Sequence, residues 1–344
     1  MTVVAAHQVV ASVRWSNRQF ARTSESHSTL IHFQKCYSTI QELFEHAERF
    51  KLFDYLASED SRPLIFLDIA CAPGGFSQYV LDHFPTSRGY GITLPEHLGG
   101  FPMAVQTIPS YRFTTCYFDL LSHPMSPSPS LHELVDIAIG DAQYFPRSLE
   151  ALEEYKGKKA GTVTGGRLGL LLREFVLAFD SLREGGIFIF RFVVWEKIHV
   201  NILRLFFLCF ELFDDVKAFK SEYQHTADCT FYAVCTGFNK SKYHDLRIDT
   251  QLKAAYARVV LSPPFAAVHN GTINCFEVIK MNQHSTNPDN NFVMDKPDAH
   301  IFESLYPFRD IRKHEFFQKT CAMFEYVYKM FLIGQSSYTD HHCQ

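Results

Sequence analysis

One stretch constrains this chain more than any other: residues 63–81, PLIFLDIACAPGGFSQYVL. Leu64 to Ile69 is an apolar run of strand length without alternation, the pattern of a parallel strand buried on both faces. Ala70 to Gly75 is a turn of small residues, and beyond Ser77 the apolar residues Tyr79, Val80 and Phe84 fall into a helical pattern. Strand, glycine turn and helix in that order present backbone N–H groups at a helix N-terminus, with glycines that let a ligand come close. A dinucleotide site would want G-x-G-x-x-G and an acidic residue about 20 residues on. Here the two glycines are adjacent, and the next strand, Gly89 to Leu94, ends in Thr93-Leu94 without a carboxylate.

The rest of the chain continues the alternation. Further strands are expected at 111–118, ending at Asp119, at 134–139, followed by Gly140-Asp141, and at 187–194. Residues 215–219 and 230–235 read as a final antiparallel pair. Helices are expected over 29–57, on the spacing of Phe33, Cys36, Ile40, Phe44 and Ala47, and over 168–182 and 200–213. That order is α/β, a mostly parallel sheet with helices on both faces.

Three regions result: an N-terminal arm at 1–28, a main domain at 29–240, and an α-rich C-terminal extension of unknown role at 241–344, with a helical stretch over 310–331. The arm carries Arg14, Arg18 and Arg22, several serines and no acid before Glu25, which also fits a mitochondrial transit peptide. Lys156, Lys158, Lys159 and Arg167 lie among glycines in a basic loop, suited either to gripping phosphate or to simple solvation.

A net charge of −4 gives no overall attraction to nucleic acid, so any RNA contact must come from a local basic patch. Nine cysteines without a C-x-x-C pair argue against zinc and against a disulfide framework, and for a reducing compartment. No run of 18 apolar residues occurs, so neither a membrane-spanning helix nor a membrane partner is expected.

Asp68-x-x-x-Ala72-Pro73-Gly74-Gly75-Phe76-Ser77, followed by Gly91-Ile92-Thr93-Leu94, resembles the FtsJ-like RNA 2′-O-methyltransferases, and within them the eukaryotic and viral cap enzymes most. The resemblance implies a Rossmann-like class I methyltransferase fold and S-adenosylmethionine as cofactor, with no metal. It implies a cofactor site made of Asp68, Ala72, Pro73, Gly74, Gly75, Phe76 and Thr93, with Asp119 and Leu120 at the adenine and Asp141 near the sulfonium. Asp119 also reads as a plain strand-end cap.

The family's Lys-Asp-Lys-Glu tetrad carries over only in part. The first lysine maps to Lys35 or Lys51, with Lys35 better matching the spacing of the cap enzymes, and the aspartate maps to Asp141. Arg191 stands where the second lysine should be, Thr230 where the glutamate should be, and His225 replaces an arginine. Arginine cannot give up its proton in a protein, so Arg191 cannot be the base, which leaves Asp141 or a neutral His225 as acceptor.

The expected function is therefore methyl transfer to an RNA ribose 2′-hydroxyl, weak or absent on standard capped or ribosomal RNA because of the altered tetrad. The alternatives are a catalytically degenerate cofactor- or RNA-binding relative and a methyltransferase repurposed for a small molecule. The expected compartment is cytoplasm or nucleus, or the mitochondrion if the arm is a transit peptide.

Overall fold

The computed structural model describes residues 25–56, 62–104, 111–122, 134–143, 165–193, 197–222, 224–225, 230–261 and 272–274, and between 315 and 330 residues 315, 318–320, 322–327 and 329–330. The strands are β1 (Ile65–Ile69), β2 (Arg88–Thr93), β3 (Phe113–Tyr117), β4 (Val135–Gly140), β5 (Leu182–Val193), β6 (Lys197–His199), β7 (Phe213–Phe219), β8 (Thr230–Phe238) and β9 (Thr272–Asn274). The helices are α1 (Glu25–Glu45), α2 (Ala47–Phe50), α3 (Leu52–Leu56), α4 (Gly75–His83), α5 (Gly165–Ser181), α6 (Val200–Leu212), α7 (Lys240–Asp245) and α8 (Ile248–Leu261).

Seven strands form one sheet in the order β3-β2-β1-β4-β5-β8-β7, and β6 pairs with β9 in a separate two-stranded sheet. Strands β1 to β5 are parallel to their neighbours, while β8 runs antiparallel between β5 and β7. The order reverses between β1 and β4, and the crevice outside the carboxyl ends at such a switch point is where open α/β sheets bind ligands.

Both faces of the sheet are covered. On one, Ile40, Leu43 and Phe44 of α1 and Phe76 and Val80 of α4 pack on Phe66, Ile137, Ile139, Ile187 and Ile189. On the other, α5 and α6 cover Leu67, Ile69, Ala138, Phe188 and Phe190, and α8 packs against α5 in the same core. The many phenylalanines serve this second core, where Phe175 lies edge-on to Phe188 and Phe190, with ring centroids 5.2 and 5.0 Å away.

The single helix expected over 29–57 is three. Helix α1 ends at Glu45, and Lys51 takes a left-handed conformation, φ 54°, that closes α2 before α3 begins. Helix α5 begins at Gly165, so Arg167 is helical; Lys156, Lys158, Lys159 and residues 1–24 of the arm lie outside the described residues.

The core also takes in residues beyond 240. Asn239 caps α7 by accepting from Lys242 N at 2.7 Å, and α8 buries Ile248, Leu252, Ala255, Tyr256 and Val259. Met323, Phe324 and Val327 are buried as well, with Phe324 edge-on to Phe206 at 5.5 Å. Among the described residues, no helix is long and apolar enough to cross a membrane.

Candidate active site

The sheet's topology brings the singled-out residues to one edge. The carboxyl ends of β1 to β5 and the amino end of antiparallel β8 lie together, and with them Asp68, the 70–75 turn, Thr93, Asp119, Asp141, Arg191 and Thr230.

In the turn after β1, Cys71 N donates to Ile92 O at 2.9 Å and Asp141 N to Ile69 O at 3.2 Å, which ties it to both neighbouring strands. Gly74 lies at φ 103°, which an L side chain rarely adopts, and it caps α4. Gly75 has a different reason to be glycine. A Cβ there would fall 2.2 Å from Phe33 O and 2.7 Å from both Cys36 Cβ and Tyr37 N, so its missing side chain makes room for α1. Asp68 is fully buried and accepts from Ser77 Oγ at 2.6 Å, locking β1 to α4, while its Oδ1 has no hydrogen-bond partner among the described residues. Burial pushes its carboxyl up to about 7.

Asp119 does act as the strand-end cap that its position suggested. Its Oδ1 accepts from Leu121 N at 3.0 Å, and its carbonyl accepts from Ser122 N at 2.9 Å. The same turn is held from α8, where Tyr256 Oη donates to Leu120 O at 2.7 Å, with Ser122 O 3.0 Å away. Thr93 is buried, and its carbonyl accepts from Phe118 N at 3.0 Å.

Asp141 and Arg191 form an ion pair, Nε to Oδ1 at 2.5 Å, with side chains only 7% and 13% exposed. Gln143, with its amide oxygen toward Arg191, accepts from Nη1 at 2.8 Å and Nη2 at 3.2 Å. From below, Glu174 of α5 accepts from Ala142 N at 2.6 Å, fixing the loop that carries Asp141 and Gln143. That carboxyl is fully buried, and desolvation raises it to about 8. Thr230 is buried opposite Val193 and faces the same side of the sheet as Arg191, which pairs with Tyr232.

Helix α1 completes the site. Lys35 is exposed, and its charge is felt at both His32 and Cys36, whereas Lys51 sits in the turn between α2 and α3. A ring nitrogen of His32, Cys36 Sγ and a carboxylate oxygen of Asp141 all lie within 4.8 Å of one another. The cysteine is fully buried, and desolvation holds its thiol well above the usual range, so it stays protonated. Sequence reasoning missed His32 because its partner Asp141 is remote in the chain; the only local signal is that positions 32 and 36 share a helix face. His225 has φ 58°, and its carbonyl accepts from the buried Lys220. Its loop is clamped by Glu42 of α1, which accepts from Ser221 Oγ at 2.5 Å and Glu222 N at 2.6 Å.

A family model of FtsJ-like methyltransferases matches residues 43–238, more than half of the chain. The protein belongs to that family, and its fold is the Rossmann-like methyltransferase fold that the turn after β1 implied. Among curated relatives, it is 28% identical over 192 residues to cap-specific mRNA (nucleoside-2′-O-)-methyltransferase 1 of Danio rerio, and 25% identical over 202 residues to the protein of that name in Xenopus laevis. The alignments cover 51% and 54% of this chain but only 22% of either relative. Among solved structures, a Plasmodium falciparum protein assigned as a ribosomal RNA methyltransferase superposes with a TM-score of 0.35 at 17% identity, over 58% of this chain and 96% of that one. Helix α1 up to residue 42, with His32, Lys35 and Cys36, precedes the range the family model matches.

Proposed function

We propose that this protein is an S-adenosylmethionine-dependent methyltransferase that acts on a ribose 2′-hydroxyl of RNA. The observation that carries the reading is the convergence of the 70–75 turn, Asp119 and the Asp141–Arg191 pair on one carboxyl edge at the switch point. The names of the cap-specific relatives support RNA as substrate. RNA of that kind goes with a nuclear or cytoplasmic compartment. On this reading, residues 29–240 form the catalytic domain and the C-terminal residues brace it through Tyr256 and Phe324.

The residues present suit the cofactor. Asp68 Oδ1 is a buried acceptor in want of a donor, and the N-terminus of α4 behind Gly74 directs N–H groups outward. Gly74, Pro73 and Ala72 would hold the methionine end, with Phe76 and Gly75 fixing α4 behind them; Thr93, Asp119 and Leu120 would hold the adenosine. S-adenosylmethionine supplies a sulfonium methyl group when bound. Asp141, paired with Arg191, would orient the incoming hydroxyl, and the exposed cation of Lys35 suits a phosphate.

The second reading is a relative that binds cofactor or RNA without turnover. It is favoured by Arg191, which cannot be a base, and by a threonine at position 230. The test is incubation of the protein with labelled S-adenosylmethionine and capped or uncapped RNA, followed by mass analysis of the nucleosides. A 2′-O-methylated nucleoside supports the first reading. Cofactor binding without label in any RNA supports the second, and label appearing only in small molecules from a metabolite extract contradicts both.

A further inference from the structure

We propose that His32 of α1 is the proton acceptor in this site, in the role that Arg191 cannot fill. The inference rests on the methyl-transfer reading above and names the base within it.

The geometry comes first. His32 brings a ring nitrogen within 4.8 Å of both the Asp141 carboxylate and Cys36 Sγ. Its ring packs against Phe101, centroid to centroid 5.3 Å, which restrains its orientation. Asp141 is already engaged by Arg191, Nε to Oδ1 at 2.5 Å. Cys36 is a protonated thiol and Lys35 an exposed cation. Of the two side chains clustered with the Asp141 carboxylate within 4.8 Å, His32 and Cys36, His32 is the one with a free-base form at neutral pH.

Electrostatics support the assignment. Burial, first, lowers the imidazole below its ordinary value; the Asp141 carboxylate opposes it, and Arg191, Lys35 and the neighbouring His225 add to the lowering. A lowered value keeps the ring neutral at neutral pH, as a base requires. Arg191 thus has a use: by neutralising Asp141, it keeps that carboxylate from turning His32 into an imidazolium.

With S-adenosylmethionine bound, the ribose oxygen would take the methyl carbon as the carbon–sulfur electrons return to sulfur, and the hydroxyl proton would end on His32. The imidazolium, which its cationic neighbours make acidic, then returns that proton to water.

The test pairs an NMR titration of the protein without cofactor with a pH–rate profile. In the titration, His32 is assigned from His32→Gln, and the proposal expects a midpoint below 6.5 that moves up in Arg191→Leu and further down in Asp141→Asn. An imidazole still protonated at pH 8 overturns the proposal, whatever the activity. In the rate experiment, His32→Gln should bind S-adenosylmethionine with unchanged affinity by calorimetry yet transfer methyl on the order of 100-fold more slowly, without the wild-type acid limb. Equal rates and profiles for wild type and His32→Gln overturn the assignment while leaving the ribose methyltransferase reading intact. Absence of ribose methylation by the wild type, with cofactor bound, overturns that reading and the base role with it.

Discussion

Strand β4 has a buried aspartate near each end, and each is held by arginine. Asp136, at the amino edge, accepts from Arg62 Nη2 at 2.5 Å and Nη1 at 3.2 Å, from Ile65 N at 2.8 Å, and from Arg183 Nε. Arg183 also reaches Tyr55 O at 2.8 Å, so this carboxylate fastens α3, β1 and β5 to one point. At the carboxyl edge, Asp141 has one arginine, and around it stand an imidazole, a thiol and a glutamine rather than more backbone. The same ion pair chemistry serves cohesion where the acceptor is saturated. On the proposed reading, it serves reactivity where the charge is balanced but groups that can move protons are left beside it.

That contrast predicts opposite phenotypes. The largest effect on folding is expected from Asp136→Ala, which strands two arginine side chains at a largely buried point. It should cost about 3 kcal/mol, roughly 5 °C in melting temperature, with cofactor affinity per folded molecule unchanged. Loss of turnover at an unchanged melting temperature would break the comparison. Asp141→Asn should do the reverse: a melting temperature within a few degrees of wild type, and methyl transfer reduced about 100-fold or more, measured by label incorporation into RNA.

A smaller effect separates Glu174 from both. Its folded value of about 8 lies above the ordinary carboxylate range because burial penalises the charge. At acid pH both folded and unfolded chains hold the proton. As pH rises, the unfolded chain loses it first, so stability is full below the ordinary value, falls as pH rises through about 8, and is level above. Asp68 adds the same sign up to about 7. Glu174→Gln, which keeps an acceptor for Ala142 N, should therefore flatten the decline in melting temperature between pH 5 and 9. An equally steep decline in that variant would show that the carboxyl does not hold its proton on folding.

What was legible in the sequence was local. The β1–turn–α4 unit is contiguous, and its residue types dictate its conformation, so strand, turn and helix fell where the pattern placed them. Asp141 was visible for the same reason, at the end of an apolar strand. Gly75 was legible as a glycine but not for its cause, because Phe33 and Cys36 approach it from a helix that no local pattern docks there. His32 was invisible for that reason too. The bracing of the turn after Asp119 by Tyr256, and the seat of Phe324 among Phe192, Phe206 and Phe231, needed tertiary contacts across long stretches of chain. Spacing cannot encode those contacts. Truncation after residue 238 should accordingly lower the melting temperature by several degrees, and an unchanged value would show the C-terminal residues to be dispensable.

On the proposed reading, the carboxyl edge of the sheet is a cofactor site. The most direct measurement is calorimetric titration of wild type, Gly74→Val and Asp119→Ala with S-adenosylmethionine and its demethylated product. Wild type should bind with a micromolar Kd, about −8 kcal/mol, Asp119→Ala more weakly, and Gly74→Val not at all while still folded by circular dichroism. No heat from wild type with either ligand, or undiminished binding by Gly74→Val, would contradict it.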